Sequence, residues 1–216
     1  DALETSAFDV PVGRFVIERA CEQASRWQRA GVPVRVGVNV SAGQLYGDDL
    51  ADVLSIAMAR HETPAELIEV EITERVALGD LERVSALLDA LRALGVSVAA
   101  DDFGTGFASL SSLMRFPFDR VKIDRSFVSG IGYDEQSARL TASLVRMCHG
   151  LGFQVTAEGI EEASHEAFLQ LHGCDEVQGY HYSKPVPAAA ATDLLMQRPK
   201  PRRQEPKEVH PVALAG

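Results

Sequence analysis

Apolar and polar positions along the chain change period repeatedly, and the changes alternate between two kinds of element. Residues 12–29 carry apolar side chains near helical spacing (Val16, Ala20, Ala24, Trp27) and stop at Gly31, which predicts a helix. Residues 34–40, VRVGVNV, are rich in β-branched side chains and predict a buried strand. A helix follows near 48–60, then the strand LIEVEIT over 67–73. Asp80 stands as the N-cap of a helix whose Leu81, Val84, Leu88 and Leu91 share one face and which Gly95 closes. Strand 96–100, a short helix over 110–116 stopped by Pro117, and strand 120–123 continue the series. A helix near 135–149 is expected to turn Leu140, Leu144 and Met147 inward. Strand 153–157, a helix near 162–172, strand 176–180 and a helix near 188–196 complete it.

Six strands joined through helices require parallel crossovers, hence an α/β fold. An open doubly wound sheet and an eightfold barrel both satisfy the alternation. The polar residues favour the barrel. Parallel strands covered on both faces are normally apolar throughout, yet here nearly every strand ends in a polar or charged residue. Asn39, Glu71, Asp101 with Asp102, Lys122 with Asp124, Glu158 and Gln178 occupy successive strand ends, and Glu74 and Glu161 follow three residues after two of them. In a barrel those ends converge on one mouth, where barrel enzymes keep their chemistry.

Composition narrows the function classes. Lys and Arg total 21 against 31 Asp and Glu, a formal net charge of −10, which argues against DNA held by general electrostatics. No apolar run approaches the ~18 residues of a membrane span, and no charged-then-apolar leader is visible. The three cysteines, Cys21, Cys148 and Cys174, are widely spaced and predict neither a disulfide framework nor a thiolate zinc site. Residues 199–216 carry four prolines between mixed charges and predict a disordered tail after a domain of residues 1–198. The chain begins at Asp1 without an initiator Met and reads as part of something longer.

Asn, Asp and Glu oxygens are hard ligands suited to Mg²⁺ or Mn²⁺. Carboxylates crowded at one rim repel one another unless cations intervene, and divalent metal supplies the positive charge that phosphate chemistry needs. Lys122, within an otherwise apolar strand, can stabilise charge on a phosphoryl oxygen or on attacking water. The set reads as metal-assisted phosphoester hydrolysis, plausibly with two metals. Glu74 and Glu161 are equally compatible with capping helices or bracing loops, and Asp124 with a local ion pair to Arg125. Asp102-Phe103-Gly104 matches a kinase triplet without the accompanying kinase segments, and His165-Glu166 lacks the second histidine of a zincin helix. His149, His172 and His181 are scattered and read as packing or surface residues.

The strings VNVSAGQL, EVEITE, DDFGTGFASLSSL, FPFDRVKIDRSF, TAEGIE and CDEVQGYHYSKPVP, in this order, closely resemble EAL domains, bacterial phosphodiesterases of cyclic di-GMP. The resemblance covers residues 12–187. It implies a modified TIM-type (β/α)8 barrel, here lacking about its first two strands, and hydrolysis of cyclic di-GMP to linear pGpG. It implies metal ligation by Asn39, Glu71, Asp101, Asp102 and Glu158, with Lys122 holding or polarising the hydrolytic water and Gln178 contributing from the last strand. Glu74 would anchor the loop 103–109, through which the family often pairs as a homodimer; Phe107 and Ala108 there replace the usual Tyr and Ser. The Glu-Ala-Leu segment that names the family lies upstream of anything in this sequence. A catalytically inactive module that binds cyclic di-GMP or a protein partner is therefore the alternative, and the truncated chain alone is expected to be unstable. Such a ligand implies a cytoplasmic location, including the cytoplasmic part of a membrane-bound sensor, with an upstream sensor or diguanylate-cyclase-type domain as partner.

Overall fold

In the computed structural model, which describes residues 9–47, 50–73, 81–105 and 110–197, every crossover expected from the sequence is present. Strands β1 (Val36–Val40), β2 (Ile68–Thr73), β3 (Ser97–Phe103), β4 (Arg120–Ile123), β5 (Gln154–Ala157) and β6 (Glu176–Val177) form one sheet in sequence order, all parallel. The connecting helices are α1 (Asp9–Arg29), α2 (Ala42–Gly47), α3 (Leu50–His61), α4 (Leu81–Ala93), α5 (Leu110–Arg115), α6 (Arg125–Val128), α7 (Glu135–Gly150) and α8 (Ala163–Leu171). A separate unit begins at Pro187 and contains α9 (Ala188–Gln197). No described helix is long and apolar enough to cross a membrane. Asp80 and the tail from residue 198 lie outside the described residues.

Strand alternation divides the side chains into two faces. Val38, Val40, Ile68, Val70, Ile72, Val98, Val121, Ile123 and Val155 join the apolar core beneath the helices. The intervening positions face the hollow of the sheet and are polar apart from the small residues Gly37 and Ala99. The sheet is curled. Five steps of about 4.8 Å would hold β1 and β6 about 24 Å apart if it were flat, yet Arg35, one residue before β1, donates to Glu176 on β6 at 2.7 Å. An α/β half-barrel of six strands results.

The helical faces differ from expectation in register. Leu140 is 48% exposed, and α7 instead buries Thr141, Ala142, Val145 and Cys148. Leu144 and Met147 pack partly against the core. In α1, Val16 is 42% exposed while Ile17, Ala20, Cys21 and Ala24 are buried. In α7 the buried stripe sits one residue along from the expected one, because small and polar side chains fill the closest helix–sheet contacts, whereas in α1 Ala20 and Ala24 are buried as expected and only Val16 gives way to its neighbour Ile17. The strand expected over 176–180 ends at Val177, and the short helices α2 and α6, too brief to show a period, were not expected. The cysteines are free thiols, Cys21 and Cys148 buried.

Candidate active site

Lys122 organises the upper part of the hollow. Its Nζ lies 2.8 Å from Glu71 on β2, 2.9 Å from Asp101 on β3 and 2.8 Å from Glu158, just past β5. All four side chains point inward because each occupies the polar phase of its strand. Burial alone would depress the Lys122 ammonium, but Glu71, Glu158 and Asp101 outweigh it and hold the group above its ordinary value. Burial raises the Glu71 carboxyl against the pull of Lys122, and the same is true of Glu158. Asp102 is raised by burial and by the nearby Asp101 and Asp124 charges.

Consecutive residues of a regular strand face opposite ways, so Asp101 and Asp102 need a device to act together. The β3–β4 register shifts between Ala100 and Phe103, and Asp102 adopts φ +53°, the left-handed region that few non-glycine residues visit. One oxygen from each of Asp101, Asp102 and Glu158 consequently falls within 4.8 Å of the other two. Asp101 Oδ1 is buried and accepts no hydrogen bond; Lys122 Nζ is near it but outside hydrogen-bonding direction. The Lys122 ammonium meets its charge at 2.9 Å, and a carboxylate oxygen with no directed hydrogen bond keeps lone-pair capacity for a further cation.

The other residues singled out from the sequence take varied places. Asn39 is registered against Glu71 in the sheet, on the inner face of β1. Gln178 follows β6; its backbone N–H donates to Ala157 and its carbonyl accepts from Ile160. Asp124 caps α6 by accepting the Ser126 N–H at 2.9 Å, and the Ser126 and Arg125 hydrogen bonds outweigh burial to hold its carboxyl below the usual range. Glu161 is exposed and is not among the three clustered carboxylates. Glu74 and residues 106–109 lie outside the described residues.

Sequence reasoning missed a second polar layer lower in the hollow. Arg120, 1% exposed, donates to Glu69 at 3.1 Å, Thr156 at 2.9 Å and Gln154 at 2.7 Å, and forks onto Glu176 with two contacts of 3.0 Å. The signal was present as charged residues two apart in IEVEIT and RVKI. Gly37 was missed too: a Cβ there would stand 2.2 Å from Glu71 Oε1, so glycine leaves the space that this carboxylate occupies.

A family model for the EAL domain matches residues 2–185. The chain belongs to the EAL domain family. It is 38% identical over 187 residues to the cyclic di-GMP phosphodiesterase PdeR of Escherichia coli, covering 87% of this chain and 28% of that protein. It is 35% identical over 196 residues to the signaling protein YkoW of Bacillus subtilis, covering 91% of this chain and 24% of that one. The chain therefore spans about a quarter of the length of these curated relatives. Among solved structures, the EAL domain of Mycobacterium smegmatis DcpA superposes with a TM-score of 0.81 at 36% identity, covering 85% of this chain and 83% of that one. The PaMucR phosphodiesterase, solved as a c-di-GMP complex, gives 0.79 at 33%, covering 84% and 74%. These EAL structures have the TIM-like barrel to which the six-stranded half-barrel corresponds.

EAL domains are metal-dependent in general, and the donor set fits a hard divalent cation. It offers several oxygens, among them a buried carboxylate oxygen without a hydrogen-bond donor.

Proposed function

We propose that this EAL domain is a metal-dependent phosphodiesterase that opens one phosphodiester of cyclic di-GMP to give linear pGpG. The observation that carries the reading is the convergence of Glu71, Asp101 and Glu158 on Lys122 beside the unsatisfied Asp101 Oδ1. Similarity to PdeR and to the PaMucR complex supports the substrate.

Asn39, Glu71, Asp101, Asp102 and Glu158 would hold Mg²⁺ or Mn²⁺, as a pair of ions. Bound there, the ions would set positive charge against the phosphoryl oxygens of the substrate. Lys122, kept protonated by its carboxylates, orients the attacking water by donating to its oxygen and stabilises charge that develops during displacement. Glu158 Oε1 accepts the proton that this water gives up. Gln178, on the same rim, contacts the dinucleotide, and Asp124 and Glu161 frame its approach. Glu74 anchors the loop 103–109, the expected dimer contact. A domain of residues 1–198 with a tail over 199–216, attached to upstream sensor or cyclase-type domains in the cytoplasm, belongs to the same reading; the relatives' greater length supports such attachments.

The test is incubation of the purified protein with cyclic di-GMP and Mn²⁺ or Mg²⁺, with and without chelator, followed by chromatography for pGpG. Turnover abolished by chelator and reduced at least about 100-fold by Lys122→Ala is expected. Binding of cyclic di-GMP without turnover would replace the enzyme reading with that of an inactive binding module. Full activity in Lys122→Ala would remove Lys122 from the mechanism.

A further inference from the structure

Phe127 has no role in the chemistry above, yet its ring forms one wall of the turn that follows Asp102. Gly104 lies at φ +95°, and a Cβ built there would stand 2.6 Å from Cε2 and Cζ of Phe127. The ring therefore rests against the Gly104 α-carbon. The turn is closed on itself by Thr105, whose N–H and hydroxyl both donate to the Asp102 carbonyl, at 3.3 and 2.9 Å. Asp102, at the head of that turn, is the residue held at φ +53°.

Phe127 is itself fixed from two sides. Its N–H donates to the Asp124 carbonyl at 3.1 Å within α6, whose first turn the Asp124 side chain caps. Its carbonyl accepts the hydroxyl of the fully buried Thr141, on α7, at 2.8 Å. The contact thus joins a turn in a costly backbone conformation to a well-anchored helix, and a left-handed aspartate persists only where its surroundings over-determine it.

We propose that Phe127 is a positioning residue, holding the 102–105 turn through Gly104 so that Asp102 faces Asp101 and Glu158. This rests on reading Asp102 as a metal ligand. The ring acts by shape alone: it excludes the turn's collapsed alternatives and leaves Asp102 its left-handed geometry. A ring that keeps Cε2 and Cζ should replace it, and a methyl group should not.

The experiment compares wild type, Phe127→Ala, Phe127→Tyr and Gly104→Ala by metal-free amide hydrogen exchange and by Mn²⁺ titration. Phe127→Ala and Gly104→Ala should speed exchange at the Thr105 amide about tenfold and weaken Mn²⁺ binding about tenfold. Phe127→Tyr, which keeps Cε2 and Cζ, should hold both near the wild-type values. Exchange at the Val155 amide, in β5, should stay unchanged and so separate the effect from global loosening; if Phe127→Ala speeds it too, Phe127→Tyr decides, with slow Thr105 exchange supporting the proposal and fast exchange overturning it. Unchanged Thr105 exchange in Phe127→Ala and Gly104→Ala would overturn the proposal, as would faster exchange with unchanged Mn²⁺ affinity. A wild type that binds no Mn²⁺ would instead overturn the proposed metal centre, while Thr105 exchange would still decide whether Phe127 holds the turn.

Discussion

Arg120 and Lys122 stand two residues apart on one strand, face the same hollow, and each gathers its own carboxylates. Glu69 and Glu176 surround the first; Glu71, Asp101 and Glu158 surround the second. The two layers differ in completeness. Glu176 meets the Arg120 guanidinium as a two-pronged fork, and Gln154 and Thr156 take further N–H groups. The upper layer keeps Asp101 Oδ1 without a donor. A fully hydrogen-bonded layer below and one above that keeps an acceptor free of directed hydrogen bonds fit a brace beneath the proposed metal centre.

Replacing Arg120 should therefore damage the fold more than the chemistry. Arg120→Met leaves the buried Glu69 carboxylate only the longer Arg35 contact at 3.5 Å, and removing one partner of a buried pair costs up to about 3–5 kcal/mol. Arg120→Lys should recover only part of this, because an ammonium cannot reproduce the fork. Urea unfolding followed by circular dichroism measures both. A loss below about 1 kcal/mol in Arg120→Met would show that the layer braces nothing.

Gly37 tests how closely the upper layer is fitted. The methyl group of Gly37→Ala would enter the space of the Glu71 carboxylate, which must turn away from Lys122. Mn²⁺ affinity and turnover should fall about tenfold or more, on the scale of disturbed ligand support. Stability should change by less than about 1.5 kcal/mol, since the strand stays paired with β2. Isothermal titration beside a thermal melt separates the two effects, and wild-type affinity would mean that Glu71 has room to spare.

The cysteines give a pH-dependent outcome. Burial pushes the thiols of Cys21, Cys148 and Cys174 up to about 11. At pH 8 about one thiol in a thousand is ionised, so alkylation of the native protein should be slow, with the partly exposed Cys174 reacting first. The folded chain keeps these protons after the unfolded chain has lost them. The stability they favour is thus intact below about pH 9 and falls as pH climbs toward about 11. Iodoacetamide labelling read by mass spectrometry checks the order, and rapid labelling of Cys21 in the native state at pH 8 would contradict it.

Much of this arrangement was legible in the sequence because the outer face of each strand is apolar and period two is hard to mistake. The strand-end carboxylates and Lys122 stood out for the converse reason, as charges in otherwise apolar strands. Arg120 was harder: at the start of its strand it looks like an ordinary solvated terminus, and only pairing across the curl places it inside. The β3 bulge was not legible at all, because it depends on how β3 and β4 slip past each other. Leu140 shows the limit of helical periodicity, since Thr141 and Ala142 take the inner face and bind or pack there. For α6, four residues carry no measurable period, and its cap on Asp124 was read as a possible ion pair.

The slip in β3 also makes residue spacing there irreplaceable. Deleting either residue between 100 and 103 would remove Asp101 or Asp102 itself and bring back strict in-and-out order, leaving a single acid where the bulge now presents two. Substitutions around the rim can be graded and compensated, but a shortened third strand has no partial version. In this part of the molecule, the count of amino acids is as much a part of the chemistry as their identity.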